Sequence, residues 1–366
     1  MSGDFYKKYT SATLAASGTQ TFFDSDGRPH TGCVYVKVCV DGTYDFSFLF
    51  ANVTDTTFAD GKRSVKNLRL GSWRLIRADV SVCDAVEPAE DGGQRTQLLF
   101  DKSPSKDVGE GEIFSSDPVT LCVKKGQYVR VAVRFAGRVL PCHEESIIPV
   151  FRLTDNGWAP DVHVPVPAMT GCTRQACVRV CFLGDSITQG IGTPHNSYMH
   201  YAARTAETVG YDGVAYWDIG LGYARAADAA SRGVWMDKAK TNDVVSVCLG
   251  ANDILQGFTE EQIRNSIAIT VGELKKAGCV VLLQTVPPFE YDEGQARIWL
   301  GVNRFIRENT VGADAVFDCS AVLGSPDRPW QARFGGHPNE EGCLLWAKAL
   351  SPVLSALIEK AAERGK

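Results

Sequence analysis

Val178-Arg-Val-Cys-Phe-Leu-Gly-Asp-Ser-Ile-Thr-Gln-Gly190 is the stretch on which the fold turns. Val178 to Leu183 is an apolar run broken only by Arg179. A strand of that kind, without polar alternation, is covered on both faces, as in a parallel sheet. It runs straight into a polar turn with glycine on either side of Asp185-Ser186. Downstream the pattern repeats. Apolar strands are expected at Val214–Trp217, Asp243–Leu249, Cys279–Gln284 and Ala315–Asp318. Helical patterns lie between and after them, at Asn196–Val209, Ala224–Ala239, Thr259–Ala277, Gly294–Glu308 and Glu340–Lys360, the last interrupted by Pro352. Thr259-x-x-Gln262 reads as a capping box, and Gly278 stands just past the end of that helix. Strands alternating with helices predict a parallel sheet with helices on both faces.

Upstream the texture changes. From about residue 30 to 153 the runs are short, β-branched and aromatic, and several alternate, as in Tyr128-Val-Arg-Val-Ala-Val-Arg-Phe135. Turn pairs such as Asp41-Gly42, Asp60-Gly61, Gly92-Gly93 and Lys125-Gly126 separate them. Period-two alternation buries one face and leaves the other wet, which predicts an antiparallel, jelly-roll-like β-sandwich. Asp155 to Ala176, with Pro160, Pro165 and Pro167, reads as an extended linker. Two domains are therefore expected, a β-sandwich with linker over residues 1–170 and an α/β domain over 171–366.

The 366 residues carry 38 basic and 43 acidic side chains, a net charge of -5, and a mean hydropathy of -0.11. This is globular composition, and it lacks the basic excess of a general nucleic-acid binder. No run of 18 apolar residues is present, so no membrane span is expected. The N-terminus lacks the apolar core of a signal peptide. The 12 cysteines are spread evenly and include no Cys-x-x-Cys. Cys172, Cys177 and Cys181 lack zinc spacing and neighbouring histidines. Reduced thiols, the cytoplasm, and no metal or cofactor are the expectations. The Lys62, Arg63, Lys66, Arg69, Arg74, Arg77 series reads as a solvated sheet face.

Ligands of parallel α/β sheets bind beyond the carboxyl ends of the strands. Ser186 stands at one such end, on a turn into a helix, where a hydroxyl can act as nucleophile and its own N–H can face an oxyanion. The same turn could be a plain N-cap made by Asp185 or Ser186. Asn252, in Gly250-Ala-Asn-Asp253, stands at another end. Its amide suits an oxyanion donor, or equally an Asx-turn. His337, in Gly336-His-Pro-Asn339 before the last helix, is the natural base for a serine. It could also be a helix-entry residue.

Together Gly184-Asp-Ser-Ile-Thr-Gln-Gly190, Gly250-Ala-Asn-Asp253 and His337-Pro-Asn-Glu-Glu-Gly342 resemble, in order, the sequence blocks of the SGNH (GDSL-type) hydrolases, over roughly residues 176–366. The resemblance implies a flavodoxin-like three-layer domain and serine esterase chemistry. Ser186 would be the nucleophile and His337 the base. The Ser186 N–H, a glycine N–H after the second strand and the Asn252 side chain would form the oxyanion hole. In Trp217-Asp-Ile-Gly-Leu-Gly-Tyr-Ala224 that glycine is assigned to Gly222, although an ungapped match sets Tyr223 at the family's position. The family's Asp three residues before the histidine is Phe334 here. Asp327 is the candidate substitute, and a main-chain carbonyl holding the imidazole is the alternative.

A β-sandwich ahead of such a domain also resembles carbohydrate esterase family 2, some members of which lack the carboxylate. That resemblance implies removal of acetyl or other short acyl groups from sugars. Trp330 could stack on a sugar ring or pack in the core. His195 and His200, about ten residues after Ser186, could line the pocket, and surface positions on the first helix are the leading expectation. The leading expectation is a cytoplasmic serine esterase acting on a small acylated, sugar-type substrate, without nucleic-acid or membrane partners. A lipase, lysophospholipase or thioesterase of the same superfamily is the second expectation. A carbohydrate-binding protein with a decayed hydrolase domain is the third.

Overall fold

The computed structural model describes residues 2–58, 64–88, 95–143, 147–324, 333–334 and 336–364. The chain divides into two compact units, Met1–Gln175 and Ala176–Lys366.

The first unit is built from antiparallel strands. Its seven-stranded sheet is centred on β1 (His30–Lys37), β3 (Trp73–Cys83) and β4 (Tyr128–Ala136), with β4 between the other two. The five-stranded sheet is centred on β2 (Gly42–Ala51). Aromatic side chains fill the space between the sheets. Trp73 of the larger sheet meets Phe114 of the smaller at 6.2 Å between ring centroids, and Phe114 stacks on Phe50 at 5.3 Å. Along β4, Val129, Val131, Val133 and Phe135 are buried, while the even positions carry Arg130, Ala132 and Arg134 on the opposite face. The alternation read from the sequence is thus the division between core and outer face.

The proline-bearing stretch is not a linker. β5 (Val150–Thr154) and β6 (Gly157–Pro160) form a hairpin on the edge of the seven-stranded sheet, and Met169–Cys172 pairs with β2. Proline removes one donor only, so Pro160 is tolerated at the end of an edge strand. In the basic series Arg74 and Arg77 alternate outward along β3, each beside an aspartate. Lys62 and Arg63 lie outside the described residues.

The second unit has a five-stranded parallel sheet of β7 (Val178–Gly184), β8 (Val214–Asp218), β9 (Val244–Cys248), β10 (Val280–Gln284) and β11 (Ala315–Phe317). The spatial order is β8-β7-β9-β10-β11. This is a flavodoxin-like order, and its topological switch point falls between β7 and β9. The helices are α1 (Ser186–Gln189), α2 (Tyr201–Val209), α3 (Ala226–Ala230), α4 (Val234–Ala239), α5 (Ala251–Leu255), α6 (Glu260–Lys276), α7 (Glu293–Glu308), α8 (Cys319–Leu323) and α9 (Glu340–Arg364). The capping box at Thr259 and Gln262 forms as read.

Helix α9 runs unbroken through Pro352. Pro352 and Lys348, whose carbonyl loses its partner, are both exposed, so water can take the freed acceptor. This helix is long and apolar enough to cross a membrane by length and composition. Here it buries Trp346, Leu350, Leu354 and Leu357 in the unit.

Candidate active site

The switch point brings two sequence blocks side by side. Ser186 follows β7 and Asn252 follows β9, the two strands that flank it. Gly184 ends β7 in a space no side chain could share: a Cβ there would lie 1.9 Å from the Thr188 hydroxyl and 2.9 Å from the Cys248 carbonyl. Glycine is therefore required for the tight turn that delivers the serine. Asp185 is the N-cap of α1, and its Oδ1 accepts the Ile187 N–H at 3.0 Å. Ser186 is the first helical residue and is half-buried. Capping and nucleophile geometry are thus divided between neighbouring residues.

The Ser186 Oγ lies 2.9 Å from the His337 Nε2, a hydrogen bond between residues 151 apart in sequence. His337 sits on a two-residue strand paired with Arg333–Phe334, and Phe334 is its register partner. Asn339 then caps α9, its Oδ1 accepting the N–H groups of Glu341 and Gly342 at 3.1 and 3.0 Å. The imidazole is packed as well as bonded. Phe289 meets it edge-to-face at 5.3 Å. On another side the chain passes so near that a Cβ on Gly192 would lie 2.7 Å from the His337 Cβ. Phe289 follows the carboxyl end of β10, so the strand-end rule points to it, although its sequence context resembles any loop.

Asn252 reaches across to the segment that follows β8. Its Nδ2 donates to the Ala224 carbonyl at 3.0 Å. Asp253 beside it accepts the N–H groups of Ala226 and Ala227 at 2.8 and 3.1 Å. The Gly250–Asp253 block therefore holds the loop after β8 in place. An amide carries two hydrogens, so one Asn252 N–H braces the loop while the group keeps a second donor. In that loop Tyr223 has φ of 62° and is 52% exposed. A left-handed conformation is one that glycine holds without strain, and Tyr223 is where the ungapped match sets the family's glycine. Gly222 directly precedes it.

Two carboxyl groups lie under this surface. Burial pushes Asp185 up to about 7, against the stabilising Ile187 N–H and with the nearby Asp253 charge adding to the rise. Burial likewise pushes Asp253 up to about 6, opposed by its two backbone bonds.

His195 is exposed, as expected, but in a loop. His200 is not on the surface: α2 begins only at Tyr201, and the preceding loop turns His200 inward. There its Nε2 lies 3.1 Å from Asp218 Oδ2, and both side chains are fully buried. Asp218 Oδ1 accepts the Gly220 N–H at 2.8 Å. Asp327 and Trp330 lie outside the described residues. All 12 cysteines are free thiols.

Residues 182–344 match the model of the GDSL-like lipase/acylhydrolase family. No curated protein matches the chain in sequence. Among solved structures, a family two carbohydrate esterase from Clostridium thermocellum, in complex with cellohexaose, is 16% identical over 95% of this chain and 98% of its own, with a TM-score of 0.42. A family two carbohydrate esterase from Cellvibrio japonicus is 13% identical over 96% and 95%, with a TM-score of 0.39. A carbohydrate esterase family 3 protein from Talaromyces cellulolyticus is 21% identical over 50% of this chain and 99% of its own, with a TM-score of 0.40. The family match falls on the strands and turns that carry Ser186, Asn252 and His337, and the second unit of this chain is a GDSL-like lipase/acylhydrolase domain.

Proposed function

We propose that the second unit is a serine esterase that removes acetyl or other short acyl groups from a carbohydrate. The observation that carries this reading is the 2.9 Å contact between Ser186 Oγ and His337 Nε2 at the switch point of the sheet. In the first step Ser186 Oγ attacks the ester carbonyl while its proton passes to Nε2. The tetrahedral oxyanion is held by the Ser186 N–H, the Asn252 amide and a backbone N–H from the Gly222-Tyr223 turn. The left-handed φ of Tyr223 supports its N–H as that third donor, with Gly222 the neighbouring choice. The sugar oxygen then leaves with the proton from His337. Water, deprotonated by the same imidazole, releases the acyl group from Ser186.

The carbohydrate half of the proposal rests on the order of the units, a β-sandwich ahead of the hydrolase domain, which resembles carbohydrate esterase family 2. A series of p-nitrophenyl esters from acetate to octanoate tests the short-acyl esterase half, with Ser186→Ala as the control. Activity falling along the series and absent from the alanine variant is expected. Activity rising along the series favours the lipase or thioesterase reading. No activity with any ester, and no fluorophosphonate label on Ser186, overturns the esterase reading.

A further inference from the structure

Asp24-Ser-Asp-Gly-Arg-Pro-His30 joins the strand Gln20–Phe23 to β1 in the first unit. Two carboxyl groups and an imidazole converge in it. One ligand atom from each of Asp24, Asp26 and His30 lies within 4.8 Å of the other two. The His30 Nε2 stands 2.6 Å from Asp24 Oδ2 and 3.5 Å from Asp26 Oδ1. The shorter contact lacks hydrogen-bond geometry. Asp24 Oδ2 and His30 Nε2 are both buried, and neither has a hydrogen-bond partner among the described residues. The Asp24 side chain is only 9% exposed. A buried carboxylate oxygen that accepts no hydrogen bond is costly unless a cation sits against it. The Arg152 guanidinium stands 3.9 Å from that oxygen, beyond hydrogen-bond reach, and is shared with Asp161 at 3.7 Å. Arg28 lies 3.5 Å from the other oxygen of Asp26 and is exposed.

We propose that Asp24, Asp26 and His30 bind a divalent transition-metal ion of the zinc type. One imidazole nitrogen and two carboxylate oxygens suit zinc, whereas calcium takes more ligands and only oxygens. Two ligands of one tetrahedral zinc ion stand about 3.4 Å apart, close to the 3.5 Å between Nε2 and Asp26 Oδ1. The 2.6 Å contact is closer than two ligands of one ion lie, and the ion parts that pair by about 0.8 Å. The three side chains are held from their own elements. His30 is the register partner of Phe135 on β4, whose ring lies 5.9 Å from the imidazole. The Asp24 N–H donates to the Arg138 carbonyl at 2.9 Å. Asp26 Oδ1 accepts the Arg28 N–H at 2.8 Å, and Gly27, with φ of 65°, makes the turn between them. The strand Gln20–Phe23 pairs with Val139–Cys142 in a sheet of its own, so the ion ties that small sheet to the seven-stranded one through His30. Three protein ligands leave a position for water. The site lies wholly within the first unit, and it stands or falls independently of the esterase reading.

The test is a zinc titration of the full-length protein, stripped with EDTA and kept reduced, against a chromophoric chelator. The wild type is expected to hold one tight equivalent that His30→Gln lacks. Asp26→Asn, a change at an exposed side chain that guards against misfolding of the histidine variant, is expected to weaken that equivalent at least about tenfold. Zinc is expected to raise the melting temperature of the wild type and not that of His30→Gln. His163→Gln, beside Asp161 and half exposed, is the control and is expected to bind as the wild type does. The chain has free thiols that also take zinc, so cobalt is titrated in its place, and a spectrum without a thiolate charge-transfer band is expected. No tight equivalent in the wild type overturns the proposal and leaves the three residues as a plain ion triad. An equivalent retained at full affinity in both His30→Gln and Asp26→Asn, one lost in His163→Gln, or a thiolate band on the cobalt form also overturns it.

Discussion

Asp185 Oδ1 accepts the Ile187 N–H at 3.0 Å and so caps the helix that Ser186 begins. The cap carries a penalty in its charged form, because burial pushes Asp185 up to about 7. An aspartate whose folded pKa is raised holds its proton more tightly folded than unfolded. Its contribution is fully present below the ordinary value near 3.8 and is lost as pH rises through about 7. Asp253, raised to about 6, acts in the same direction. Stability of the second unit is therefore expected to fall between pH 4 and pH 7 by an amount of the order of a few kcal/mol. Asp185→Asn keeps a capping oxygen and removes the charge. Urea denaturation at several pH values is expected to show a shallower pH dependence in the variant. Identical slopes in the two proteins contradict the assignment.

Asn252 has one observed task and one proposed, and one substitution separates them. Its Nδ2 braces the loop after β8 through Ala224, and in the proposed mechanism the same amide faces the charge that develops on the substrate. Asn252→Ala is expected to lower kcat by roughly two to three decades with a much smaller change in KM. The lost brace is expected to cost about 1 kcal/mol in stability. A change confined to KM leaves Asn252 as a positioning residue only.

What was legible in the sequence was what depends on short windows. The apolar runs of β7 to β10 have no polar alternation because both faces are covered, so their carboxyl ends, and with them Ser186 and Asn252, could be placed from pattern alone. His337 could be named but not placed: its contact with Ser186 spans 151 residues and is made by the order of the sheet. The strands of residues 157–160 and 169–172 were hidden by prolines, whose local signal describes one missing donor and not the neighbouring strand that receives the rest. Phe289 and Gly192, which pack the imidazole, carry no motif at all.

His200 was hidden for a related reason. Helical periodicity assigns a face, but the helix starts one residue later, and the loop turns the ring toward Asp218. Burial raises the Asp218 carboxyl, and the His200 bond opposes the rise. His200→Leu leaves that carboxyl buried without its ring partner. The expected cost is about 3–5 kcal/mol, read as a shifted denaturation midpoint. A loss below about 1 kcal/mol makes the pair equivalent to an exposed one and refutes this reading.

The last question is what orients the base. The position three residues before His337 holds Phe334, its backbone partner in the short hairpin, where the family has a carboxylate. The ring is already constrained by other means. Phe289 packs edge-to-face at 5.3 Å, the chain at Gly192 closes on its Cβ, and Nε2 is engaged with Ser186 at 2.9 Å. A carboxylate on Nδ1 normally supplies both orientation and stabilisation of the imidazolium. On the proposed dyad reading, packing contributes the orientation, and the remaining contribution of a carboxylate is the smaller electrostatic part. Asp327→Asn, which removes charge and keeps size, is therefore expected to lower kcat by less than about one decade, or roughly 1.4 kcal/mol. Phe289→Ala is expected to cost more than Asp327→Asn does, because it frees the ring to turn away from Ser186. Steady-state kinetics on both variants, with thermal melts to confirm folding, decide it. A loss of several decades in a folded Asp327→Asn protein makes Asp327 the third member of a triad and reverses the order of the two effects.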